Sequence, residues 1–261
     1  MMHSHVVEIS GFLELFILVF TFIIIISYIV TVYMTNRKYK KWPLIRVAFW
    51  MMGVLSITIG VIGPIAEKTH ASFQAHMVNH LLLGMLGPLL IVLSAPMTLL
   101  LRSVPIGWGR FISKLLKSSY VRWITHPIAA TLLNTGGLWI LYTTDLYRAM
   151  HVSVLLYVLV HVHVLLAGYI FTLSIIYIDV TPHRTSFLLR AIVLVLSMAA
   201  HSILSKWIYA NPPTGTTITD AQLGGMLMYY GGDGIELILV ILLCYQYFRG
   251  KSKRREKALV Y

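Results

Sequence analysis

Seven stretches of this chain stay apolar for about 20 residues or more, the length an α-helix needs to cross a hydrocarbon layer of about 30 Å. They fall at approximately 11–34, 44–66, 76–101, 127–145, 152–178, 186–209 and 222–248. Hydrocarbon offers no water to satisfy a bare backbone, so runs of this kind predict helices and leave little freedom beyond their order and tilt. With 58% hydrophobic and 11% charged residues, the 261-residue chain is too apolar for a soluble globule. The connections are too short for a separate soluble domain. The expected fold is all-α: a polytopic membrane protein, one domain over residues 1–261, in a single bundle of seven transmembrane helices. No Lys or Arg precedes the first run, which is longer than a signal-peptide core, so it is expected to remain as a spanning helix.

Charge sets the expected orientation. The formal net charge of +12 sits in clusters between apolar runs, a placement that argues against a nucleic-acid surface and for membrane topology. Of the 21 Lys and Arg residues, only Lys68, Arg148 and Lys206 fall on one side of the seven-helix layout. Positive charge is retained in the cytoplasm, so the N-terminus is predicted outside and the C-terminus inside. The basic groups between Arg37 and Arg46, and those in the tail from Arg249, read as topology signals and contacts to anionic membrane lipids. Seven helices also describe retinal proteins, but residues 222–248 hold no lysine for a Schiff base. The lone cysteine, Cys244, excludes a disulfide framework and a Cys-x-x-Cys metal site, leaving His and Met for soft-metal chemistry.

Ionisable groups at membrane depth are costly and mark sites. Counting about 1.5 Å per residue from the outer helix ends, His80, His161, His163, His201, Asp233 and Glu236 all fall in the outer half or the middle of the membrane. His76 and His80 are four apart and share a helical face, the spacing of a metal pair. His161 and His163 diverge by about 200°, so only one can face the interior; His163 is expected to do so and His161 to serve structure. On the last helix Met226, Tyr229 or Tyr230, Asp233 and Glu236 are expected to form an inward stripe, with the acids as proton carriers, buried hydrogen-bond partners or accessory ligands. Met77, Met85, Met198 and Met226 stand where a thioether can reach the same region, although methionine more often fills apolar space. His126 and His183 lie at cytoplasmic helix ends. His3, His5, His70 and His151 lie on the outer side, solvated or able to help capture an external metal ion.

One pattern resembles a known family. His76-Met77-Val78-Asn79-His80-Leu81-Leu82-Leu83, followed by Gly87-Pro88-Leu89-Leu90 and Ala95-Pro96, looks like the hallmark of the CtaG family of cytochrome c oxidase (caa-type) assembly factors. Two further segments agree: His163 followed by Gly168 and Phe171, and Asp220-Ala221-Gln222-Leu223-Gly224-Gly225-Met226-Leu227-Met228. Tyr229 stands where the family often places Trp. The resemblance implies a protein of the bacterial plasma membrane that helps mature a haem–copper terminal oxidase by handling copper, with the oxidase subunits as partners. It carries over His76, His80 and His163; His201, Asp233 and Glu236 rest on depth alone. The expected metal ligands are therefore His76, His80, His163 and His201, with Met77, Asp233 and Glu236 as accessory groups. Imidazole suits both copper oxidation states and thioether favours Cu(I).

Two other readings compete. Histidines on facing helices can hold a haem, and Asp233 with Glu236 beneath histidines can carry protons or metal ions across the membrane. No enzyme is expected: there is no nucleophile elbow or phosphate-binding glycine loop, and His76-x-x-x-His80 lacks the adjacent Glu of a zinc hydrolase.

Overall fold

The computed structural model describes residues 2–69 and 71–259, and among them the fold is all helical, without strands. His70 lies outside these residues, and the side chains of His3 and His5 lie outside the described set as well. Six helices are long and apolar enough to cross a membrane among the described residues. They are the first helix, Met2–Asn36; the second, from Leu44 to Lys68; the third, from Phe73 to Ser103; the fifth, Val154–Ile175; the sixth, Phe187–Ala210; and the seventh, Ile218–Leu259. The stretch expected to span at 127–145 forms a shorter fourth helix from Pro127 to Thr143. Its middle, Leu132–Gly136, is π-helical.

Serine begins several of these helices. Ser72, Ser153 and Ser186 accept from the backbone N–H three residues on, which satisfies one of the orphan donors of a first turn. Asp220, on the seventh helix, reaches the start of the third, where it accepts from Phe73 N at 2.6 Å, Gln74 N at 3.2 Å and Ser72 Oγ at 3.2 Å. Asp179 does the same for Pro96–Ser103, accepting from Met97 N at 2.8 Å, Thr98 N at 2.7 Å and Thr98 Oγ1 at 2.6 Å. Arg190 closes the opposite kind of end: its guanidinium donates to Ile175 O at 2.7 Å, at the C-terminus of the fifth helix.

The third helix is irregular for a reason written in its sequence. Pro88 has no N–H to give, and the turns ahead of it, Leu81–Leu86, relax into a π-helix. Ser56 of the second helix donates to Leu82 O at 3.1 Å within that segment, so a neighbouring hydroxyl helps satisfy the disturbed backbone. Opposite this segment the fifth helix comes very close: a Cβ at Gly168 would strike Gly84 O, and one at Gly84 would lie 2.7 Å from Val164. Only glycine permits that approach. Further on, Ala95 adopts φ 55°, turning the chain into Pro96–Ser103.

Two apolar clusters divide the interior by depth. One gathers Phe73, Met77, Leu141, Met150, Leu204 and Met228; the other gathers Leu89, Val92, Phe171, Leu194, Leu239 and Leu243. Along the third, sixth and seventh helices, His80, His201 and Glu236 fall between the two sets, so a polar layer is enclosed by apolar packing on both sides.

Candidate functional site

The polar layer begins with the third helix. His76 and His80, four residues apart, are both buried on its inward face, as their spacing predicts. His80 lies with its ring centroid 6.1 Å from that of His201 on the sixth helix. His201 Nδ1 is 3.8 Å from Glu236 Oε1 on the seventh, too long for a hydrogen bond. Gly232 makes this meeting possible, because a Cβ there would strike the His201 ring. His80, His201 and Glu236 are each 5% exposed or less, yet both ring nitrogens of each histidine and Glu236 Oε2 make no hydrogen bond within the protein. An unsatisfied buried polar group costs about 1–3 kcal/mol, so this constellation is a cost to stability and the first candidate for a functional site. Beside it, Ser197 and Thr135 share a buried hydrogen bond of 2.8 Å, and Ser202 donates to Asp233 at 3.3 Å.

A second tier lies one turn away along the third helix. His76 Nε2 is 2.9 Å from the Tyr142 hydroxyl, and its ring sits 5.1 Å from Tyr147, 6.1 Å from His161 and 6.3 Å from His151. A cavity of about 10 Å³ between His76, His80 and His161 connects the tiers. Tyr147, in the short helix Leu146–Val152, has its hydroxyl pushed above the ordinary tyrosine range by burial and, after that, by the Asp220 carboxylate.

His163 requires a correction. It is exposed and turned to the fourth helix, where its Nε2 donates to Leu133 O at 3.0 Å inside the π-helical segment, in the space left by Gly137. The inward imidazole of this pair is His161 instead. Gly168, which must face the third helix, lies seven residues from His161 and five from His163, so the helical phase puts His161 and Val164 on its side. Gly168 is the sequence mark of that face, but only its contact with Gly84 shows which helix the face meets. The expected stripe on the seventh helix also shifts: Met226 is 44% exposed, whereas Met228 is fully buried. Met77 is buried within the apolar cluster, and Met85 and Met198 are half-buried. Asp233 is half-buried at the margin of the site. His126 and His183 lie at the far end from the cluster, on the connections before the fourth and sixth helices.

The structure therefore brings together His76, His80, His201 and Glu236, adds His161 and His151, and leaves His163 out. The histidines stand in pairs; among the described residues, no three His, Cys, Asp or Glu side chains are already gathered closely enough to hold a metal ion. The donor set, imidazoles with one buried carboxylate, fits a borderline transition-metal ion. Asn79 is a residue that spacing alone does not single out: it is fully buried, its amide makes no hydrogen bond within the protein, and it packs against Gly60 of the second helix.

These features define a multi-pass helical membrane protein with a buried histidine and carboxylate site. The chain belongs to the cytochrome c oxidase caa3 assembly factor family, Caa3_CtaG, whose model matches residues 26–250. It is similar to an uncharacterized protein of Mycobacterium leprae, 26% identical over 245 residues, covering 86% of this chain and 37% of that protein. Uncharacterized proteins of Mycobacterium bovis and Mycobacterium tuberculosis are each 27% identical over 235 residues, covering 82% of this chain and 36% of theirs. The chain thus spans little more than a third of the length of the curated relatives it matches. No solved structure matches it.

Proposed function

We propose that this protein is a non-enzymatic factor that binds copper in the outer half of the membrane and hands it to a haem–copper oxidase during assembly. The observation that carries the reading is the His80–His201–Glu236 group, buried at membrane depth with its imidazole nitrogens uncommitted. His76 and His161 complete the proposed ligand set, and Met77 and Asp233 remain accessory. Copper is cargo here, and a site with a single buried carboxylate and neutral imidazoles suits an ion that must also leave. The 10 Å³ cavity favours one ion over a haem, which needs a pocket of several hundred Å³. Transport of protons or metal ions is the second reading, favoured by Glu236 with Asp233 one turn away on the seventh helix. In this reading the chain crosses the membrane seven times, the fourth helix included, with the N-terminus outside, the C-terminus in the cytoplasm, and oxidase subunits as partners.

The test is metal content together with an optical spectrum on detergent-purified protein. Copper at about one ion per chain, lost in His80→Ala/His201→Ala, is the expected result. A haem absorption band, or a copper content unchanged in the double variant, overturns it. Ion flux in proteoliposomes abolished by Glu236→Gln moves the assignment to transport.

A further inference from the structure

A cavity of about 270 Å³ opens at the end of the bundle that carries Tyr147 and Asp220, with Ser72, Phe73, His151 and Thr216 in its walls. It shares Phe73 and Tyr147 with the ring cluster around His76. From its wall inward, His151 to His76 is 6.3 Å between ring centroids and His76 to His161 is 6.1 Å; His80, one turn deeper, lines the 10 Å³ cavity together with His76 and His161 and lies 6.1 Å from His201. Two imidazoles that share an ion from opposite sides, each nitrogen about 2 Å from it, have centroids about 6 Å apart.

The tautomers agree with this use. His151 Nδ1 lies 2.8 Å from Tyr147 O, and His161 Nδ1 lies 2.8 Å from Tyr157 O. A carbonyl only accepts, so each Nδ1 carries the proton and each Nε2 is the unprotonated nitrogen of its ring. Metal-binding histidines are commonly oriented in this way by a carbonyl on the other nitrogen. His163 is opposite in kind: its Nε2 is the donor to Leu133 O.

We propose that His151, His76 and His161 form a ladder of ligands along which copper passes from the open cavity to the His80–His201 pair. The inference rests on the copper reading above and extends it to a route. A bare ion in a low-dielectric interior is prohibitively costly, so passage requires a ligand at every step. Each imidazole takes the ion before the previous one releases it. The ion keeps its oxidation state, and nothing but metal–nitrogen bonds forms or breaks.

The experiment measures the rate of uptake. Full-length protein in detergent, free of oxygen, is mixed rapidly with Cu(I) held by a coloured soluble chelator, and the chelator signal is followed. His151→Ala is expected to slow uptake about ten-fold or more, with the final copper per chain and the affinity unchanged, whereas His161→Ala, which also removes a ligand of the proposed site, slows uptake and weakens affinity together. His163→Ala is expected to load at the wild-type rate. His151 lies in a connector and is half-buried, so its replacement tests the ladder without disturbing a spanning helix. Wild-type rates in both ladder variants overturn the proposal and leave the copper site standing. Loss of final copper in His151→Ala also overturns it, by making His151 a ligand of the resting site. A wild type that takes up no copper sinks the copper reading itself, and the ladder with it.

Discussion

Glu236 shows how little of a side chain's role lies in its identity. Its depth on the seventh helix is legible from the sequence, because a carboxylate in the middle of an apolar run has to find a partner. Its neighbour is not legible, since the 3.8 Å approach of His201 depends on the absent side chain of Gly232. Glu236→Gln keeps the volume and removes the charge. Under the proposed function it is expected to weaken copper retention about ten-fold, measured by competition with a soluble chelator, while thermal unfolding stays near wild type. Equal retention would leave the acid as a packing residue. The histidines divide along the same line. The pair at His76 and His80 follows from spacing within one helix, but the choice between His161 and His163 needs the rotational phase of a second helix, which is set by contacts to Gly84 and Leu133 O.

Among the helices, the apolar runs mark where the long helices lie, but the first begins at Met2 and the seventh continues to Leu259, well beyond the runs, and the partners that fix the ends are not readable. No sequence motif points to Asp179 or Arg190 as helix-end partners; in the fold one caps Pro96–Ser103 and the other closes the fifth helix. Asp220 is the most consequential of these. Asp220→Ala removes three acceptor contacts from the first turn of the third helix and is expected to cost about 2 kcal/mol, read as a lower thermal midpoint in detergent. Asp220→Asn should recover part of that loss by accepting through its carbonyl oxygen. The crossing of the third and fifth helices makes a second prediction. Gly168→Ala places a methyl against Gly84 O and should destabilise by about 1–3 kcal/mol, whereas Gly136→Ala, where a Cβ meets nothing within 4 Å, should leave the midpoint unchanged. The π-helical segments escape a reading from periodicity, although Pro88 and the Gly136-Gly137 pair mark where regular helix fails.

For the molecule as a whole, hydropathy carries most of what defines it, because a bilayer restricts a chain more than water does, while the distribution of Lys and Arg supplies the expected orientation. The expected orientation has a direct check. A reporter active only outside the cytoplasm should be silent when fused after Arg249, and a cysteine placed in the 211–217 connection should react with a membrane-impermeant thiol reagent. The reverse pattern would turn the proposed entrance to the opposite face. The contact between Asp220 and Phe73 N spans 147 residues of chain. Synthesis runs from the N-terminus, so the third helix is made with Ser72 as its only cap and with His76 and His80 in place, long before Asp220 and the other residues that complete their surroundings exist. Until the last helix is made the chain lacks Glu236 and the clamp on the third helix together, so under the proposed function a nascent or truncated chain has no finished site for stray metal.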